Sequence, residues 1–153
     1  MPGSTSERWI SVVSVNAQAM YESTFQIRVR YAETDRMGFV FHGHYVNFYE
    51  VGRTESIRQL GVTYHSLEEA GILMPVTDIS IKYLLPARYD DLLTVKTVIP
   101  RMPEIRMIVN AEISNEAGEV INRSECRLTF LDANTKRILS SPAMLSDKLA
   151  PYF

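Results

Sequence analysis

The chain has 153 residues, a length typical of one domain, and 46% of them are hydrophobic, enough to bury one core. A formal charge of -2 and a pI near 5.9 exclude the general basic field that attracts nucleic acid or anionic membranes. The single cysteine, Cys126, excludes an intramolecular disulfide. No apolar stretch has the length needed to span a bilayer, and we expect no signal peptide. These features predict a cytoplasmic protein without membrane insertion.

The first half of the chain predicts one strand and one long helix. Residues 1–22 contain one short apolar patch, Trp9 to Val15, that is broken by serines, and we expect a flexible N-terminal extension ahead of a single domain over 23–153. Apolar and polar residues alternate from Phe25 to Tyr31, which is typical of a strand. From Tyr45 to Leu60 apolar residues recur at spacings of three and four, which predicts a helix of about five turns that ends at Gly61.

The second half predicts mainly antiparallel strands. A short helix is expected before Gly71, and four alternating runs follow it. The predicted elements are the helix over 66–70 and the strands over 78–85, 93–99, 105–113 and 120–131, with a turn over 115–118. One strand, one helix and four further strands form an α+β order, because short turns join only antiparallel neighbours. We expect a curved antiparallel sheet wrapped around one long central helix.

The segment from Tyr31 to Tyr45 joins the first strand to the long helix and is the best candidate for chemistry. Asp35 lies in this loop, and Gly38 can adopt backbone angles that are closed to other residues. The loop ends near His42 with the first unpaired amides of a helix. Such amides can stabilise the negative charge that forms on a carbonyl under attack, as in acyl transfer. Asp35 would then act as a general base on water or as a direct nucleophile.

The same residues have simpler interpretations. An isolated aspartate in a loop is more often a turn former or a helix cap than a catalyst. Glu33 is expected to be exposed, and His42 could cap the helix. His42 and His44 lack the further ligands that a metal site needs, so no metal is predicted.

A resemblance favours the catalytic interpretation. The segment from Val29 to Leu60 reads V-R-Y-A-E-T-D-R-M-G-F-V-F-H-G-H-Y-V-N-F-Y-E-V-G-R-T-E-S-I-R-Q-L. It resembles the signature of the 4-hydroxybenzoyl-CoA thioesterase family, and in particular the branch of short-chain acyl-CoA thioesterases encoded beside bacterial envelope-maintenance genes. The resemblance continues through the segment from Ile81 to Leu93 and covers roughly residues 24–132. It implies the hotdog fold and hydrolysis of acyl-CoA, with no cofactor.

The resemblance also implies roles for individual residues. Asp35 falls on the family's catalytic aspartate, and His42 falls on a polar position at the helix start. Glu50 is expected to support the site, and it is the main rival to Asp35 because another hotdog branch carries its catalytic glutamate on the helix. Gly38 matches the glycine of the family's loop, and Tyr45 matches a helix residue that we assign to the acyl pocket. Three further groups of candidates follow from position in the predicted fold: His42 and Gly43 at the helix start for the oxyanion, Phe39 and Tyr49 between helix and sheet for the acyl pocket, and Arg88, Arg101 and Arg106 near strand ends for the phosphates of coenzyme A.

Several partners follow from the resemblance. Hotdog relatives form homodimers, or tetramers made from dimers, with active sites at the subunit junction. Acyl-CoA is the expected substrate. An acyl carrier protein is the alternative carrier because it shares the pantetheine arm. A noncatalytic acyl-binding module is a third reading, and a hotdog dehydratase fits the Asp35 and His42 arrangement less well.

Overall fold

The structure, a computed structural model, describes residues 20–153. Most of the predicted extension, 1–19, lies outside the described residues, whereas Tyr21 and Glu22 are part of the first strand. The helices are α1 (His44–Gln59), α2 (Tyr64–Glu69) and α3 (Ala143–Leu149), with 3-10 turns at Tyr31–Glu33 and Ala150–Tyr152. The strands are β1 (Tyr21–Arg28), β2 (Ile72–Leu73), β3 (Val76–Tyr83), β4 (Leu92–Ile99), β5 (Arg106–Ser114), β6 (Val120–Asp132) and β7 (Ile138–Leu139).

These strands form one seven-stranded antiparallel sheet that does not close into a barrel. The central order is β1, β4, β5, β6, and every pairing is antiparallel. β3 pairs with the first part of β6, while the short β2 and β7 pair with its last residues. The predicted α+β hotdog architecture is confirmed. The last residue of β1, Arg28, is opposite the first residue of β4, Leu92, so the loop that follows β1 lies at this end of both strands.

A row of small side chains on the sheet receives α1. Ser23 is opposite Thr97, Thr97 is opposite Ala111, and Ala111 is opposite Ser124, so these residues form one line across four strands. All four are buried. Gly52 of α1 lies over this row, where a Cβ atom would come within 3.1 Å of the Thr97 hydroxyl oxygen. Small residues on both sides therefore bring the helix axis close to the sheet.

The row of small residues separates two apolar clusters. One cluster lies at the end of the loop and includes Phe48, Tyr49 and Leu93. The other lies beneath the C-terminal half of α1 and includes Ile57, together with Leu145 of α3. Each cluster fastens one end of α1 to the sheet, which holds the start of the helix in a defined place.

Several details differ from the sequence-based expectations. β1 begins four residues earlier than expected and ends at Arg28, because the chain turns at Tyr31 into a 3-10 helix. Val46 and Val51 of α1 are exposed at 40% and 39%. The sheet therefore does not wrap the whole helix. β2, β7 and α3 were not predicted, because such short segments carry little periodic signal.

The hydropathy of the helices gives one further finding. Among residues 20–153, none of the helices combines the length and the apolar character required to cross a bilayer.

Replacing Gly52 by valine tests the close approach of α1. The added side chain would meet Val95, whose nearest methyl carbon lies 2.6 Å from the Cβ position, and Val95 is fully buried and stiff. We expect Gly52→Val to lower the free energy of unfolding in urea by about 1–3 kcal/mol. Asn47→Val, on the exposed side of the same helix, is the control and should change it by less than about 0.5 kcal/mol. Equal effects of the two substitutions would contradict this packing.

Candidate active site

The side chain of Asp35 organises the loop between β1 and α1. Its Oδ1 accepts hydrogen bonds from the backbone N–H groups of Met37 at 2.9 Å and Phe39 at 3.4 Å. The backbone N–H of Asp35 donates to the carbonyl oxygen of Phe39, and that of Gly38 donates to the carbonyl oxygen of Asp35. Gly38 has φ +83°, a left-handed conformation that favours glycine. Asp35 thus stabilises the turn through Oδ1. Within residues 20–153 its other carboxylate oxygen, Oδ2, has no hydrogen-bond partner.

Backbone hydrogen bonds fix this loop to the rest of the protein. Thr34 and Val40 form an isolated antiparallel bridge. The N–H of Val40 donates to the carbonyl oxygen of Ala87 at 2.8 Å, and the N–H of Phe41 donates to that of Glu33 at 2.9 Å. The loop therefore holds Asp35 between the end of β1 and the segment after β3.

Glu33 is buried, contrary to the expectation of exposure. It is only 5% accessible, and its Oε1 accepts a hydrogen bond from the backbone N–H of Arg30 at 2.7 Å. The Nε atom of Arg30 lies 3.3 Å from the same oxygen. This carboxylate is used within the 3-10 turn just before Asp35, so it has a structural role.

The start of α1 faces the same loop. The N–H of His44 donates to the carbonyl oxygen of Phe41 at 3.0 Å. In the described part of the chain the N–H groups of His42 and Gly43 have no acceptor. They lie at the N-terminal end of a helix of 16 residues, where the helix dipole favours negative charge. These amides are candidates for holding an oxyanion, whereas the Gly38 amide is occupied within its turn.

A pocket of about 300 Å³ opens beside the loop. Asp35 and His42 both line it, and so do two of the predicted pocket residues, Phe39 and Tyr45. The full lining comprises Asp35, Met37, Phe39, Val40, His42, Tyr45, Tyr83, Leu84, Leu85 and Pro86. The lining is mostly apolar with a few polar groups, which is typical of a site for a small organic ligand.

Tyr83, at the end of β3, is a pocket residue that the sequence did not single out. Its hydroxyl donates to the carbonyl oxygen of His42 at 2.9 Å. Its ring packs edge-on against Tyr45, with centroids 5.3 Å apart. The alternating pattern placed Tyr83 in a strand, but its contact with a loop about forty residues earlier depends on the pairing of β3 with β6.

The two buried tyrosines of α1 are not placed alike. Tyr45 lines the pocket, while Tyr49 lies outside its lining and donates its hydroxyl to Oδ1 of Asn122 at 2.6 Å. Burial raises the pKa of both phenols above the ordinary value. Both hydroxyls therefore remain neutral near pH 7.

Other predicted site residues are dispersed. Glu50 is exposed on α1 and does not line the pocket. The guanidinium carbon of Arg88 lies 4.8 Å above the ring of Phe39, so Arg88 is at the rim of the pocket. Arg101 and Arg106 lie at the opposite end of β4 and β5, roughly 20 Å away along the strand direction. Within one chain, only the first of the three arginines is close to the pocket.

The fold and the sequence identify the family. Residues 29–149 match the family described as the thioesterase-like superfamily. The chain belongs to this superfamily. The resemblance seen in the sequence is thereby confirmed, and the matched range includes the whole loop and all of α1.

Individual relatives agree with this assignment. The chain is 43% identical over 101 residues to the putative acyl-CoA thioesterase YneP of Bacillus subtilis, covering 66% of this chain and 73% of that protein. It is 32% identical over 106 residues to the acyl-CoA thioester hydrolase YbgC of Escherichia coli, covering 69% and 79%. Among solved structures, the DHNA-CoA thioesterase of Staphylococcus aureus is similar with a TM-score of 0.75 and 34% identity, over 78% of this chain and 80% of that one.

The contribution of Asp35 to the stability of the loop can be measured separately from the effect of its charge. Asp35→Ala removes the acceptor for two backbone amides, so we expect the free energy of unfolding to fall by about 1 kcal/mol. Asp35→Asn keeps an oxygen acceptor in the same place, so its free energy of unfolding should fall clearly less than that of Asp35→Ala. Urea unfolding of both variants checks this, and an asparagine variant as unstable as the alanine variant would contradict the turn-forming role.

Proposed function

We propose that this protein hydrolyses acyl-CoA thioesters to a free acid and coenzyme A, with Asp35 as the essential carboxylate. The observation that carries the proposal is that the two carboxylate oxygens of Asp35 have different surroundings. One carboxylate oxygen is fixed by loop amides, while the other has no partner among residues 20–153 and belongs to a group that lines the pocket. The names of the relatives, which include acyl-CoA thioester hydrolases, support the substrate class.

The arrangement suits attack on a thioester carbonyl. The carbonyl oxygen would accept hydrogen bonds from the amides of His42 and Gly43, which would stabilise the negative charge that forms on it. In one route, Oδ2 of Asp35 takes a proton from water as the water oxygen bonds to the carbonyl carbon; the carbon–sulfur bond then breaks, and the leaving sulfur takes that proton from Asp35 and departs as the thiol. In the other route, Oδ2 itself bonds to the carbonyl carbon, the thiolate leaves, and water opens the resulting anhydride.

Two neighbouring residues would hold the reacting groups in place. The hydroxyl of Tyr83 binds the carbonyl oxygen of His42 and so limits movement of the amides at the helix start. His42 lines the pocket, where its side chain can orient water or the substrate. Apolar surface from Phe39 and Tyr45 would accommodate the acyl group.

An acyl carrier protein as the substrate carrier is the second candidate, because its thioester is chemically the same. The positive rim residue Arg88 favours a phosphate-bearing ligand without distinguishing the two carriers. A noncatalytic acyl-binding module is disfavoured, since a module without turnover has no need for a carboxylate oxygen left free in the pocket.

We also propose that the protein acts as a homodimer joined through β3. This strand pairs with β6 on one side, and among the described strands none pairs with its other side. Ile79 and Tyr83 are exposed at 39% and 49% on β3, and Val46 and Val51 are exposed on the nearby helix. A free strand edge beside exposed apolar side chains favours pairing with a second copy. That copy would lie close to the pocket, because Tyr83 belongs both to β3 and to the pocket lining.

Thiol release from a panel of short, long and aromatic acyl-CoAs tests the activity. We expect wild-type protein to hydrolyse part of the panel and Asp35→Asn to lose roughly 10²- to 10⁴-fold in kcat while remaining folded. Glu50→Gln is the matched control, since it removes a carboxylate outside the pocket, and it should retain activity. Loss of activity in Glu50→Gln, with activity retained in Asp35→Asn, would contradict the proposal and indicate that Glu50 on α1 is the essential carboxylate.

Sedimentation velocity tests the dimer. A charge on the edge strand should oppose pairing, so we expect wild-type protein to sediment as a dimer or larger and Ile79→Lys to sediment as a folded monomer. Ile138→Lys places the same charge on β7, where isoleucine is 65% exposed, and should leave the assembly intact. A monomeric wild type, or an Ile79→Lys variant that still assembles, would contradict the proposed interface.

A further inference from the structure

Two exposed tyrosines touch each other beside the pocket. Tyr31 is 78% exposed and Tyr89 is 56% exposed, although both rings are large and largely apolar. Their ring centroids are 5.5 Å apart and their planes meet at 78°, so the rings form an open corner. We call these residues the tyrosine pair. Neither residue lines the pocket, and the hydrolysis proposed above does not use them.

The first tyrosine is held by a rigid turn. Tyr31 begins the 3-10 helix just before Asp35, and its carbonyl oxygen accepts hydrogen bonds from both the hydroxyl and the N–H of Thr34, at 2.7 and 3.2 Å. The buried carboxylate of Glu33 fixes the preceding residue, Arg30. An exposed ring on a fixed backbone loses little conformational freedom when a ligand binds.

The second tyrosine lies on another fixed turn that is bonded to the first. The side chain of Asp91 accepts a hydrogen bond from the N–H of Arg88 at 2.8 Å, and Asp90 completes the turn with φ +69°. The N–H of Asp90 donates to the carbonyl oxygen of Val29, and the N–H of Val29 donates to that of Asp91. These bonds hold the two turns that carry the rings in a fixed relative position.

Positive charge extends from the pocket toward the pair. Arg88 immediately precedes Tyr89 and stacks on Phe39, a pocket residue. Within residues 20–153 no carboxylate lies within 4.0 Å of the guanidinium of Arg88 or of Arg36 in the adjoining loop. The side chains of Arg28 and Arg30 do have carboxylate neighbours. The rim therefore carries two cations available to an anion from solution.

We propose that the tyrosine pair binds the adenine of coenzyme A, with Arg88 and Arg36 pairing with its phosphates. Aromatic side chains stack on bases with a stabilisation of about 1–3 kcal/mol per base, and guanidinium groups bind phosphate through charge-assisted hydrogen bonds. An adenine stacked on one ring of the corner presents its edge to the other ring. The proposal rests on the proposed hydrolysis of acyl-CoA, because it names where the nucleotide end of that substrate binds.

One molecule of coenzyme A can reach both the tyrosine pair and Asp35. Tyr31 precedes Asp35 by four residues, and the 3-10 turn between them holds their Cα atoms closer than the roughly 14 Å of an extended segment. The pantetheine arm, with its two amide units and short alkyl spacers, has a length of this order. The thioester can therefore reach Asp35 while the nucleotide is at the rim. An acyl carrier protein has no adenine to place there, so the tyrosine pair distinguishes the two carriers.

Kinetics with a full and a truncated substrate test the proposal. One acyl group is supplied both as its coenzyme A thioester and as its pantetheine thioester, which lacks the nucleotide. We expect Tyr31→Ala and Tyr89→Ala each to raise KM for the coenzyme A thioester about tenfold, which corresponds to the loss of one stacked base. KM for the pantetheine thioester should not change. Tyr89→Phe keeps the ring and should restore the wild-type KM. Arg88→Ala should likewise raise KM for the coenzyme A thioester only, and Arg137→Ala, at an exposed arginine beside β7, is its control and should leave KM unchanged.

Each other outcome contradicts the site. Equal losses with both substrates would show that the pair supports the loop, and unchanged KM would show that it does not contact the nucleotide. Dissociation of the alanine variants in sedimentation would show that a second copy covers the pair. If wild-type protein hydrolyses neither thioester, calorimetry with adenosine 3′,5′-bisphosphate decides separately: binding that is lost in Tyr89→Ala supports the site, and absence of binding to the wild type overturns it.

Discussion

The position of the pocket depends on how closely α1 approaches the sheet. Gly52 has no side chain, and the row of residues that it faces contains the small Thr97 and Ala111. Larger side chains at these positions would hold α1 farther from the sheet. Apolar clusters on either side of this row prevent α1 from tilting. Because α1 is fixed in this way, its N-terminal amides meet the loop that contains Asp35. The chemistry proposed for the loop therefore depends on packing at Gly52, about two and a half helical turns from the amides of His42 and Gly43.

The two interpretations of Asp35 are compatible because a carboxylate has two oxygens. Oδ1 accepts the amides that close the turn, as a turn-forming aspartate would. The same bonds hold Oδ2 in a constant orientation, which is what a general base or nucleophile requires. Glu33, two residues earlier, is buried, bonds Arg30 through Oε1 and does not line the pocket, so its role is structural. Adjacent acidic residues in one loop thus have different uses because their environments differ.

The sequence predicted those features that depend on local patterns. Alternation over β4, β5 and β6 indicated the strands, and glycine at position 61 indicated the end of α1, where φ is +87°. Asp35 was identified because a long loop with an aspartate and a glycine precedes a helix, and because the segment resembles a known family. The roles of Asp35, His42 and Glu50 remain predictions that the proposed kinetics test.

Features that depend on distant residues could not be read in this way. Tyr83 reaches the pocket only because β3 pairs with β6, a pairing between segments far apart in sequence. Tyr31 continued the alternating pattern of β1, but the buried carboxylate of Glu33 closes a 3-10 turn that exposes its ring. Arg101 and Arg106 were chosen because they lie near strand ends, and the sequence does not reveal which end of a strand is near the loop.

A structure of the Asp35→Asn variant with a bound acyl-CoA would test the central claim most directly. We expect the thioester carbonyl oxygen to lie within about 2.7–3.1 Å of an amide of His42 or Gly43, with the carbonyl carbon facing the free side-chain atom of residue 35. A thioester held against Glu50, or with its carbonyl directed away from the start of α1, would contradict it.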